Sequence, residues 1–218
     1  MRTIRKWVRI TPQGAWINGV RVRLDESQDP LPVALYRQRI GGYPKFFKMD
    51  PMCRLGFVAS ELLLEGEEER FTPREDRAVV LFSNSGSFAS DSHYEETIAD
   101  PEEYYPSPAV FVYTLANIVT GEIAIRNKFF GETICYLTDR NDMRLMVETV
   151  DEALEDPVTR SVVTGWVESP SAECFEAVLF LVEKTAEKAV GQAVGQAAEW
   201  RTDEIEKIMN NKELTSII

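Results

Sequence analysis

The sequence is poor in the groups that most reaction centres need. Its 218 residues hold one histidine, His93, and three cysteines, Cys53, Cys135 and Cys174. A histidine-rich metal site is thereby excluded, as is any mechanism that needs two histidines. The cysteines form no C-x-x-C pair, which argues against a zinc ribbon or a disulfide scaffold. No phosphate-binding glycine pattern is present. No apolar run approaches the ~20 residues of a membrane span, and no apolar signal segment precedes the strand-like residues 7–10. Positive charge is short as well: 24 Lys+Arg stand against 36 Asp+Glu, a net charge of −12. Phosphate backbones and anionic membranes attract a basic face, so both are disfavoured as partners. The expectation is a reduced, soluble, cytoplasmic protein.

What is present is material for a core. Hydrophobic residues make up 44% of the chain and charged ones 28%, enough for one large domain spanning residues 1–218. Strand-like runs lie at 7–10, 78–82, 133–137, 161–167 and 175–182, the second and third reading as strands buried on both faces. Asn18-Gly19 marks a hairpin or bulge. Residues 25–32 read as loop, and 91–108 as a helical turn or two followed by irregular chain. Met52, Leu55, Val58, Ala59 and Leu62 recur at helical steps behind Asp50 and Pro51, a capping residue and a first-turn proline. Further helices are expected at 109–126, the most apolar long segment, and at 142–154. A long C-terminal helix is expected at about 184–211. It carries the repeat Ala189-Val190-Gly191-Gln192, Ala193-Val194-Gly195-Gln196. Alternating strands and helices give an α/β class with a mixed central sheet of about five strands.

Taken in order, these segments resemble the N-terminal half of a β-ketoacyl-ACP synthase of the thiolase-like superfamily. Val8-Arg9-Ile10-Thr11-Pro12-Gln13-Gly14-Ala15 is similar to that family's opening strand and turn. Lys48-Met49-Asp50-Pro51-Met52-Cys53-Arg54-Leu55 resembles its K-M-D-R-x-x-R-L helix start. The segment from Ser107-Pro108 through Phe111, Thr114-Leu115-Ala116-Asn117 and Gly121 to Gly131 resembles S-P-x-x-F-x-x-T-L-P-N…G-x-I-A-I…G, with Ala116 in place of the usual proline. The resemblance implies a thiolase-like half-fold without cofactor or metal. It also implies that strand 133–137 is a dimer edge and that 109–125 lines an interface or acyl tunnel.

The same resemblance implies that the catalytic apparatus is missing. The family's nucleophilic cysteine lies nine residues after the glycine that matches Gly131, and that position holds Arg140. No segment matches either catalytic histidine, and His93 falls at no catalytic position. A non-catalytic accessory subunit follows as the first expectation, in fatty-acid or polyketide-type (for example polyene) biosynthesis, pairing with a full-length ketosynthase or with itself. A second is a small acyltransferase or thioesterase using Cys135 or the turn Ser83-Asn84-Ser85-Gly86-Ser87. A third is a module that binds acyl chains or an acyl carrier protein, with Arg2, Arg5, Lys6, Arg9 or Lys45, Lys48, Arg54 as its basic clusters. Each candidate has a plainer reading. Cys135 is expected as an inert core thiol, His93 as a solvated loop residue, and Asp139 and Asp142 as helix-capping groups, not metal ligands.

Overall fold

The computed structural model describes residues 1–102, 104–140, 142–185 and 198–210. Ten extended residues form β1 (Arg2–Thr11), which turns at Pro12-Gln13 into β2 (Gly14–Ile17). Asn18 and Gly19, with φ of 49° and 83°, then join β2 to β3 (Val20–Arg21) as a two-residue hairpin. A short helix α1 (Leu31–Leu35) runs into a π-helical turn (Tyr36–Ile40), and a 3-10 turn (Pro44–Lys48) leads to α2 (Pro51–Leu63). The Asp50 carboxylate accepts the Cys53 N–H at 3.0 Å, and Pro51 occupies the first helical position. This is the start that the sequence specifies.

The second half alternates. It runs β4 (Arg77–Ser83), α3 (Phe88–Glu96), α4 (Pro108–Phe111), α5 (Ile118–Asn127), β5 (Thr133–Leu137), α6 (Met143–Ala153), β6 (Ser161–Glu168) and β7 (Glu176–Lys184). Two short elements follow, β8 (Ala198–Glu199) and α7 (Thr202–Met209). One mixed sheet takes the order β3-β2-β1-β7-β6-β4-β5, with β8 against β1. β4 pairs in parallel with β5 and β6, and β7 runs antiparallel to β6 and β1.

Helices cover both faces. In β4, Val79 and Leu81 join the core beneath α2 and α5, while Ala78, Val80 and Phe82 join the core beneath α6 and α7. β7 divides the same way, Leu179 and Leu181 to one side, Phe180 and Val182 to the other. That period-2 partition of continuous apolar runs is what a sheet covered on both faces requires.

Four expectations are corrected. The sheet has eight strands, not five, because the hairpin around Asn18-Gly19 and the short β8 both join it. The buried helix expected at 109–126 is instead two helical pieces bent by 98°. Leu115 is extended (φ −87°, ψ 115°) between them, and Phe111, Val112 and Leu115 are exposed. β5 is half-exposed, not buried on both faces; it lies at the sheet edge, where the resemblance puts it, and only β4 pairs with it among the described residues. The single helix at about 184–211 is not formed: Lys184 ends β7, Ala198–Glu199 is a strand, and only Thr202–Met209 is helical. The Ala-Val-Gly-Gln repeat at 189–196 lies outside the described residues. The helical turn expected at the start of 91–108 is the second half of α3.

One glycine sets how closely β6 and β7 approach. Gly165 has φ of 138°, and a Cβ there would collide with the Val178 carbonyl oxygen and lie 2.9 Å from Leu179 Cα. Both neighbours are backbone in a central pair and have nowhere to go. Gly165→Ala is expected to cost about 3 kcal/mol or more, read as a lower urea midpoint, or to prevent folding. A midpoint within 0.3 M of wild type (roughly 0.5 kcal/mol at ordinary denaturant slopes) would contradict this account.

Candidate functional site

Both faces of β4, β6 and β7 are covered, so polar groups can meet a ligand only at the strand ends. At the end of β4 the chain turns through Ser83, Asn84 and Ser85. Their donors converge on one carboxylate, that of Glu168 at the end of β6. Ser83 Oγ donates to Glu168 Oε2 at 3.0 Å, the Asn84 N–H to the same oxygen at 2.7 Å, and the Ser85 N–H to both oxygens at 3.2 Å. The Ser85 hydroxyl also donates to Oε1. Gly86 closes the turn with φ of 54°, and its N–H reaches Ser83 Oγ at 3.0 Å. A side chain there would press on Leu137 and Ala116. Small residues let successive N–H groups face one point, which makes an anion nest. Here the chain's own glutamate fills it.

Cys135 lies beside this nest, in register with Leu81 of β4. Its thiol is pushed up to about 11, first by burial and then by the Glu168 charge. It stays protonated at neutral pH, the wrong state for a nucleophile. Its charged neighbour Glu168 is held by the 83–85 turn, and the one histidine, His93, is exposed on α3 and hydrogen-bonds Glu96 at 3.4 Å. His93 is thus on a helix, not in the expected loop, and its neighbours Asp91 and Ser92 do not converge with it, being successive on one helix. Cys53 is buried in α2, its thiol pushed well up by burial and then by Asp50. Cys174 is exposed just before β7.

Arg140, in the loop between β5 and α6, is tied down on three sides. Its guanidinium meets Glu176 Oε2 at 2.9–3.0 Å, donates to Asn210 Oδ1 at 3.1 Å and to the Met209 carbonyl at 3.1 Å. The last bond satisfies a carbonyl at the C-terminal end of α7. Glu176 Oε1 receives Arg9 at 3.1 Å. Asp142 caps α6, accepting the Leu145 N–H at 3.0 Å, and Asp139 gives its carbonyl to the Asp142 N–H. Among the described residues, no group of three or more His, Cys, Asp or Glu could hold a metal ion. No single described helix is long and apolar enough to cross a membrane.

The basic clusters are largely engaged with acidic groups or carbonyls. Arg2 pairs with Asp151 at 3.0 Å and Lys45 with Glu122 at 2.8 Å. Lys6 donates to the Glu65 carbonyl, and Arg54 to the carbonyls of Phe46 and Phe47. Sequence reasoning found the 83–87 turn and Arg140 but missed Glu168 and Glu176. Each stands tens of residues from its partners, so no local spacing could reveal it.

Two outcomes follow. At pH 8 Cys135 should label with iodoacetamide far more slowly than exposed Cys174, its thiolate fraction being about a thousandth; equal rates, followed by peptide mass spectrometry, would contradict its buried, protonated state. Arg140→Ala should cost about 1–2 kcal/mol, because Glu176 loses one of its two cations. Adding Glu176→Gln should recover part of that loss in urea melts, and purely additive losses would count against the ion pair.

No family model matches the chain, and no curated protein matches it. Solved structures do. One is the ishigamide ketosynthase/chain length factor, at 20% identity and a TM-score of 0.65 over 85% of this chain. Another is a ketosynthase in complex with its chain length factor from Xenorhabdus doucetiae, at 15% identity and a TM-score of 0.59, covering 86% of this chain and 81% of that one. A third is a β-ketoacyl synthase from Burkholderia phymatum, at 12% identity and a TM-score of 0.56, covering 89% of this chain and 61% of that one. The chain spans 63% of the length of the ishigamide protein. An α/β architecture with a helix-covered mixed sheet, matched over most of its length to these chains, is the thiolase-like ketosynthase fold.

Proposed function

We propose that this chain, residues 1–218 as one domain, is a non-catalytic ketosynthase-like accessory subunit of a cytoplasmic fatty-acid or polyketide-type assembly. The observation that carries the reading is Arg140. At the position where the resemblance puts a nucleophilic cysteine, an arginine is bound to Glu176, Asn210 and the end of α7. A guanidinium cannot accept an acyl group by thiol chemistry, and Cys135 is protonated. The hydroxyls of Ser83 and Ser85 are held on Glu168 and that of Ser87 on the Thr114 carbonyl, which disfavours the acyltransferase or thioesterase alternative.

The proposed pairing surface is the outer edge of β5. A free strand edge offers unpaired backbone groups. At its two ends stand large apolar side chains in water: Phe130 is 69% exposed and Leu137 60%. Pairing with a full-length ketosynthase or a second copy would cover them, as two of the similar structures are a ketosynthase with its chain length factor. An acyl carrier protein is a weaker fit, because Lys45 and Arg54 of the nearest basic cluster are already engaged.

The test has two parts. Incubated with an acyl thioester, the protein should show no acyl adduct by intact mass, whereas an adduct on Cys135 would overturn the non-catalytic reading. In sedimentation velocity it should run as a dimer, alone or with a full-length ketosynthase from the same cells. Phe130→Asp/Leu137→Asp should run as a monomer with an unchanged circular dichroism spectrum. A wild-type monomer that ignores the synthase would overturn the pairing.

A further inference from the structure

A cavity of about 760 Å³ opens between the β1–β2 turn, the extended chain leaving β3, and the π-helical turn Tyr36–Ile40. Its lining is unusual for this chain, because arginine side chains stand over an apolar floor. Val22, Leu24 and Leu31 line it and also pack against the main core cluster. Arg21 and Arg23 alternate with the first two along the extended chain and are exposed. Arg39 reaches the cavity from the π-helical turn.

The site is pre-arranged. Arg21 lies 6.0 Å over the Trp16 ring and spends one donor, Nη2, on the Gln13 carbonyl at 2.9 Å, leaving its other N–H groups for a ligand. Gly14 makes room for it: at φ of 150°, a Cβ there would stand 3.3 Å from Arg21 Nε. The opposite wall is fixed by Gln38, whose amide accepts the Asp25 N–H at 2.8 Å and donates to the Asp25 carbonyl at 3.1 Å.

Most arginines elsewhere are spent on carboxylates. Arg2, Arg9, Arg70, Arg77, Arg126 and Arg140 are all bound to carboxylates. Here Arg39 alone has such a partner, Glu65 at 2.9 Å, while Arg23 makes no hydrogen bond or ion pair among the described residues. Three guanidiniums face one lining carboxylate, Asp25, in a protein of net charge −12.

We propose that this cavity binds a small organic anion: a carboxylate or phosphate monoester head on Arg21 and Arg23, with a short apolar tail over Val22, Leu24 and Leu31. Guanidinium forks match both heads, and the volume falls within the range of ordinary small-molecule sites. The inference does not rest on the pairing proposed above, since it uses neither β5 nor Arg140.

Calorimetric titration of the whole protein with octanoate, octyl phosphate and octanol tests it. At least one of the two anions should saturate a single site, and the tighter one identifies the head. Octanol should bind about tenfold more weakly or not at all. Arg21→Gln/Arg23→Gln should weaken the anion about tenfold or more at an unchanged melting temperature. Should that variant fail to fold, Arg23→Gln alone breaks no described contact and should still weaken binding severalfold. No binding of either anion, equal binding of octanol, or unaltered affinity in a folded arginine variant would each overturn the proposal.

Discussion

Two carboxylates face each other across the final rung of β6 and β7, Glu168 against Glu176. Like charges directly opposite in an antiparallel pair repel, and this pair closes strands whose interiors admit no water. The fold meets the problem from two sides. Ser83, Asn84 and Ser85 supply neutral donors to Glu168, while Arg9 and Arg140 supply positive charge to Glu176. Each solution recruits a different part of the chain: the turn after β4, the first strand, the loop before α6 and, through Arg140, the end of α7. The two glutamates thereby tie together the end of the molecule where an α/β sheet exposes its chemistry.

Buried charge is handled the same way elsewhere. Glu61, within α2 and nearly inaccessible, is held by Arg70 and by Arg126, whose guanidinium also lies over Tyr43 and Phe71. Arg77, inside the fully buried β4, donates to Ser161 at 2.9 Å and to Glu67 at 2.6 Å. Removing one member of such a group strands the other in a medium that solvates it poorly. An acidic chain that satisfies its buried carboxylates with arginine has few cations left for an anionic partner, which explains why its basic clusters make a poor docking patch.

Local chemistry was legible in the sequence and long-range chemistry was not. Asp50-Pro51 and Asn18-Gly19 act through neighbours within three residues, so their helix start and hairpin could be read directly. The run at 78–82 announced a strand buried on both faces because nothing in it tolerates water. The run at 133–137 looks alike but is half-exposed at an edge, which the resemblance implies and its own residues do not announce. Residues 109–126 have enough apolar character for one helix, yet the break at Leu115 turns their first part outward. Apolar content reports that a surface will be covered, without saying whether by the chain itself or by another. Of the site, Arg140 and the serine turn could be located, while their partners Glu168 and Glu176 could not.

Filling the nest with the chain's own glutamate has a physical consequence. A ketosynthase elbow needs an exposed thiolate, and exposure at a strand end demands donors that wait unsatisfied for an incoming charge. Waiting donors cost stability. Here the donors at 83–85 hold Glu168, and Arg140 spends its own on Glu176 and α7, so the end of the sheet is settled without a ligand. Among the described residues, accessible groups with donors or apolar surface to spare lie elsewhere, among them the backbone edge and apolar side chains at β5 and the guanidiniums of Arg21 and Arg23 beside the hairpin. The groups at this end of the sheet thus hold one another, and the accessible side chains lie at the β5 edge and beside the hairpin.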